Sequence, residues 1–302
     1  MKRQQALKNS RWIWAARWSN LPVCIASVVA VLLFAAPALA GPGVQTLTYD
    51  VYTSGFHAVE ATLTLDTGKK DRYDIFAEGR TRGVLETLVP WEGTFATKGW
   101  VLKGGKLQPE LHRSTAVWRG EEDIKEYSYG KDGSFKSLVV KNHNEPIEEG
   151  DTDDEVTQGT IDVLTSTLAM LQNIDKGGEC AGTSEVFDGK RRFEMIFNHE
   201  GHQDLKRSGY NVYEGPSTKC TVEVKPVAGK WHKKPRGWLS IQEQGRARGT
   251  MPTVWVGKIG ENGLPVPVKV MVKTAYGTMF MHLVEYKNGE DYLVAGKTKK
   301  QK

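Results

Sequence analysis

Val266-Pro267-Val268-Lys269-Val270-Met271-Val272-Lys273 puts valine at every second position, with proline, lysine and methionine between. Successive side chains of a strand point to opposite faces, so this period of two predicts a half-buried β-strand. Pro265 and Pro267 lack a ladder donor and place the start of that strand at an edge. Tyr276-Gly277 supplies a turn, and Thr278–Tyr286 reads as the returning partner.

The same alternation opens the chain after its first forty residues. Leu47, Tyr49 and Val51 alternate with polar neighbours, as do Val59, Ala61, Leu63 and Leu65, and then Tyr73, Ile75 and Ala77. These segments predict an antiparallel meander. Further strands are expected near Trp91–Val101, Leu107–Trp118, Lys125–Tyr129 and Phe135–Val140. Ile161, Leu164, Leu168 and Leu171 break the pattern with steps of three and four, which predicts an amphipathic helix of about a dozen residues started by Thr160 or Asp162. A helical turn is expected over Val84–Leu88, before Pro90. A long antiparallel sheet must curl or be covered to hide its apolar face and its edges. The predicted fold is therefore mainly β: a single curved antiparallel sheet, spiral or half-barrel, packed on one amphipathic helix. Its concave side is either a filled core or a cleft large enough for a lipid.

Residues 1–40 read as a secretory signal. Lys2, Arg3, Lys8, Arg11 and Arg17 precede an apolar run from Val23 to Ala36, and Pro37-Ala38-Leu39-Ala40 offers a small-x-small cleavage site between Ala40 and Gly41. An uncleaved anchor is the competing reading, since the run approaches the roughly 20 residues that span a bilayer. Pro37 and the small residues around it favour cleavage, and Cys24 inside the apolar run does not suit a lipoprotein signal. Removing 40 of 302 residues leaves residues 41–302 as one β-rich domain with a basic C-terminal tail.

Cleavage changes the chemistry. The whole chain carries 41 Lys+Arg against 36 Asp+Glu, and five of the bases lie in the signal, so the remainder balances. That balance argues against a nucleic-acid partner. Cys24 is removed as well, leaving Cys180 and Cys220, a pair that an oxidising compartment would join as a disulfide.

Motifs for chemistry are scarce. His199-Glu200-Gly201-His202 spaces its histidines by three rather than the four of a helical zinc motif, and its flanks read as a loop. Glu145–Glu155 concentrates acids without the glycine and spacing of a calcium loop, and reads as a solvated loop before the helix. No Gly-x-Ser-x-Gly elbow and no phosphate-binding glycine loop occurs. Asp188-Gly189 is a turn signal. The expectation is thus no enzyme, no metal and no cofactor; a hydrolase using Asp188 or the His199–His202 segment is the least favoured reading. Lys230, Trp231, Lys233, Lys234 and Arg236 form a basic segment that would meet an anionic lipid headgroup or an acidic partner, or else be a solvated hairpin tip.

Several blocks together resemble the exported bacterial family catalogued as domain of unknown function 3108. They are Tyr49–Tyr52 with Gly55 and Glu60–Leu63, Asp162–Ser166, Val186–Phe193, Cys220–Gly229 and Gly263–Gly277. The chain is also similar to the periplasmic envelope-integrity family. Those resemblances imply a spiral-like antiparallel sheet with a single disulfide and a periplasmic, non-enzymatic role in the cell envelope. The partner would be an envelope protein, a lipid or a wall polymer. The alternative is a carrier holding an acyl chain in the concave face.

Overall fold

The structure is a computed structural model, and it describes residues 43–143, 145–235, 237–275 and 277–295. The expected signal over residues 1–40 with its Ala40–Gly41 junction, Arg236 of the basic segment and the expected basic tail lie outside the described residues.

Among the described residues, fifteen strands make one sheet in which every ladder is antiparallel. β1 (Val44–Thr53), β2 (Phe56–Asp66), β3 (Arg72–Thr81), β4 (Trp91–Val101), β5 (Leu107–Trp118), β6 (Glu121–Tyr129), β7 (Phe135–Lys141) and β8 (Glu148–Glu149) run outward as a meander. The second arm holds β9 (Gly182–Phe187), β10 (Arg191–Leu205), β11 (Gly215–Gly229), β12 (Thr253–Gly257), β13 (Val266–Thr274) and β14 (Gly277–Asn288). β14 pairs with β1, so the first strand of the meander sits mid-sheet and joins the arms. β15 (Asp291–Val294) adds to the far half of β14.

The helices are α1 (Val84–Leu88), α2 (Asp154–Thr157), α3 (Val163–Asp175) and α4 (Trp238–Arg246). α3 is the expected amphipathic helix, capped by Asp162. The expectation of one substantial helix misses α4. The basic segment leads into α4 and is therefore not the tip of a hairpin between two strands. β11 outruns its partner β12 at Val222, and α4 fills the gap with an amide. Gln242 Oε1 accepts from the Val224 amide at 2.7 Å, and its Nε2 donates to the Val224 carbonyl at 3.2 Å.

β13 is an interior strand whose start is an edge, as its prolines predict. Its first residues pair with β12 alone, because the β14 ladder begins at Lys269. The prolines sit where the second neighbour is missing, which is why they are tolerated.

The sheet curls without closing into a barrel. One edge, β8, is two exposed glutamates, short and charged as a protected edge should be. At the other, Ile161 bonds the β9 backbone in both directions, accepting from the Phe187 amide and donating to Glu185. Tyr127 of β6 donates to the Phe187 carbonyl at 2.7 Å, so side chains bridge the arms where a ladder would close a barrel. Leu47, Tyr49, Leu65, Ile75, Leu283 and Tyr286 from the sheet meet Leu168 and Leu171 of α3 in the main core. These side chains fill the concave side.

Cys180 and Cys220 form a disulfide, both fully buried, tying the segment after α3 to β11 across the intervening β10. Replacing both cysteines with serine is expected to cost about 3–4 kcal/mol, because a loop of this span is no longer constrained in the unfolded chain. A matched fall in urea midpoint for the double variant and for the reduced wild type would check it.

Candidate functional site

Two polar clusters stand out, one inside the curl and one on its outward face. Inside, Asp162 has no exposed surface. Its Oδ1 accepts from the amides of Leu164 and Thr165 at 2.9 and 3.0 Å and from the Thr97 hydroxyl at 2.8 Å. Its Oδ2 accepts from the Thr165 hydroxyl at 2.5 Å. Both threonine protons are thereby committed to the carboxylate. The remaining contacts then have defined directions: Tyr73 donates to Thr165, and His112 donates from Nδ1 to Thr97 at 2.7 Å. His112 also lies 3.4 Å from Asp162 and stacks on Tyr127. Burial pushes the Asp162 carboxyl up, and the His112 ring beside it, then Thr165 and Thr97, more than offset it, leaving it below the usual range.

Each part has a backbone reason. Asp162 is extended at the N-cap of α3, where a short acceptor meets free amides and the positive helix end. Tyr73 reaches the helix because Gly99 opposite has no side chain; a Cβ there would lie 2.4 Å from the Tyr73 ring. The cluster joins β3, β4 and β5 to α3, and it is sealed from solvent. Its chemistry is that of a structural latch.

On the outward face, β1, β13 and β14 align Asp50, His282 and Lys269 in one cross-strand row. Their neighbours Tyr49, Leu283 and Val268 point into the core, so the row points away from it. Tyr52 donates to Asp50 at 3.1 Å, and His57 lies 3.1 Å from the other oxygen. Burial, then the Asp50 charge, pushes the Tyr52 hydroxyl up to about 12. Tyr52 stacks on His57 and meets Tyr210 edge-on, both at 5.2 Å, and Phe280 stacks on His282 at 5.7 Å. Tyr210 is 58% exposed, so the cluster is open to a partner.

The residues singled out in the sequence lie elsewhere. Trp231 is not free: its indole N–H donates to the Ala228 carbonyl, its ring meets Phe193, and Arg191 lies over it at 4.6 Å. Lys230, Lys233 and Lys234 are exposed beside it. His199 and His202 sit not in a loop but within β10, either side of a register shift. Asp188 turns β9 into β10, accepting from the amides of Lys190 and Arg191 and pairing with the Arg191 guanidinium. The acidic stretch supplies β8 and the start of α2. Among the described residues, no group of three or more His, Cys, Asp or Glu is placed to hold a metal ion. A polar groove of about 380 Å³ crosses the outward side of β2–β6, but its Glu60 is held by Arg80 and Arg82 and its Glu122 by Lys141.

An open, curved antiparallel sheet with an internal latch and an outward aromatic cluster defines the class of protein. The family model described as protein of unknown function (DUF3108) matches residues 48–284, and the chain belongs to that family. Among solved structures, it is similar to a β-barrel-like protein of a domain of unknown function, DUF1849, from Brucella abortus. The two share 13% identity with a TM-score of 0.47, covering 81% of this chain and 97% of that one. No curated protein matches the chain.

Removing the latch carboxylate leaves the buried His112, Thr97 and Thr165 without their common partner, so Asp162→Ala is expected to cost about 3–5 kcal/mol. The acid dependence has a definite sign. A carboxyl held below its unfolded value stabilises above the ordinary Asp range, and that contribution is lost as pH falls through the folded value. Urea unfolding should therefore show the gap between wild type and Asp162→Asn wide near pH 7 and narrowing in acid.

Proposed function

We propose that this chain is an exported periplasmic protein that supports cell-envelope integrity without catalysis, by binding an envelope component on its outward face. The observation carrying this reading is the partly exposed cluster of Tyr52, His57, Tyr210, Phe280 and His282 on a sheet whose concave side is occupied by its own side chains. A filled interior favours recognition on the surface over a carrier that encloses an acyl chain. Aromatic side chains give a binding surface large apolar area at low entropic cost, and their polar tips supply direction. The Cys180–Cys220 disulfide is compatible with an oxidising compartment. No helix among the described residues is long and apolar enough to cross a membrane.

Cells lacking the gene are expected to become more sensitive to detergent and to wall-active antibiotics. Wild-type protein should restore resistance, and Tyr210→Ala with Phe280→Ala should restore it poorly at equal protein level. Unchanged sensitivity in the deletion strain would refute the reading.

A further inference from the structure

Lys269 and His282 face each other across the β13–β14 ladder, where directly opposed side chains start about 5 Å apart. Asp50 of β1 stands on the far side of His282, and no carboxylate lies between His282 and Lys269. That carboxylate accepts from the Tyr52 hydroxyl, with His57 3.1 Å from its other oxygen. The Lys269 ammonium lies instead over Trp255 and Phe280, 4.7 and 5.4 Å from the ring centroids, and no described carboxylate pairs with it. His282 Nδ1 is buried with no hydrogen-bond partner, a costly state for a polar atom. Burial lowers the pKa of both groups, and the Lys269 charge lowers His282 further against the opposing pull of Asp50. Two basic groups thus sit side by side, partly desolvated, with no counter-charge between them.

We infer that Lys269 and His282 form a binding site for a phosphate group. A phosphate monoester carries about −1.5 to −2 near pH 7, which matches an ammonium and an imidazolium together, and a single carboxylate does not. Its oxygens accept from the ammonium, and from Nδ1 once His282 is protonated. Phe280 walls one side, in contact with both residues. The groups facing His282 are Lys269 on β13, Asp50 and Tyr52 on β1, His57 on β2 and Tyr210 in the loop before β11. Only Asp50 opposes the anion, and it lies on the side of His282 away from Lys269. This site deepens the outward-face reading above by naming the chemistry that the face recognises.

Titration of the purified protein with inorganic phosphate, followed through the His282 ring resonances, is the direct test. A saturable shift is expected, with the His282 titration midpoint moving up when phosphate is bound. Lys269→Met should weaken binding by at least about tenfold, equivalent to 1.4 kcal/mol, and Lys269→Arg should retain it. His282→Gln, followed by calorimetry, should also weaken it, which covers the case in which the methionine variant does not fold. A shift that never saturates, or equal affinity in Lys269→Met, overturns the site. Sedimentation with phosphatidic acid vesicles against phosphatidylcholine vesicles separates the sources. Retention lost in Lys269→Met marks a membrane-borne phosphate, and phosphate binding without retention marks a small soluble one. If phosphate binds but Lys269→Met fully restores the deletion strain, the site stands and the proposed role of that face fails.

Discussion

The carboxylate of Asp162 is the constraint on which the rest of the structure depends. It caps α3, accepts from β4 through Thr97, and reaches β5 through His112 and β3 through Thr165 and Tyr73. A buried charge is tolerated only when its oxygens are satisfied, and here backbone amides and hydroxyls do so with a histidine beside them. The result is directional. Leucines alone would hold α3 against the sheet in many orientations, and the latch admits one.

That orientation decides what happens to the edges. Ile161, one residue before the latch, bonds the β9 backbone, while Tyr127, stacked on His112, donates to Phe187 on the same strand. One helix start therefore holds the first arm and covers the edge of the second. The disulfide secures the other end of α3 to β11. With the concave side filled in this way, the outward row of Asp50, His282 and Lys269 is left to meet other molecules.

Much of this was legible in the sequence, and the parts that were not share physical causes. The first three strands, α3 and β13 announce themselves by local period, and the next four strands, α1 and β14 are placed with them. The place of β1 beside β14 depends on pairing between chain ends, to which local pattern is blind. β12 is buried on both faces and does not alternate, whereas Phe193, Met195 and Phe197 of β10 do alternate and were a readable signal. α4 is anchored through the amide of Gln242 rather than an apolar stripe. Asp162 was readable as a helix cap, but its partners at Thr97 and His112 come from strands far away in the chain. Lys269 and His282 occupy ordinary solvent-side positions of their strands, and only the register shows that they stand opposite each other with no carboxylate between them.

Native-state hydrogen exchange at the amides of Leu164, Thr165 and Phe187 tests the latch most directly. All three are donors to the latch or to the edge it holds. The account predicts that they exchange only with global unfolding, at the same free energy as the core amides of β4 and β5. If α3 and the β9 edge opened at much lower free energy while the rest of the sheet stayed protected, the helix would be an attachment and the central claim would be wrong.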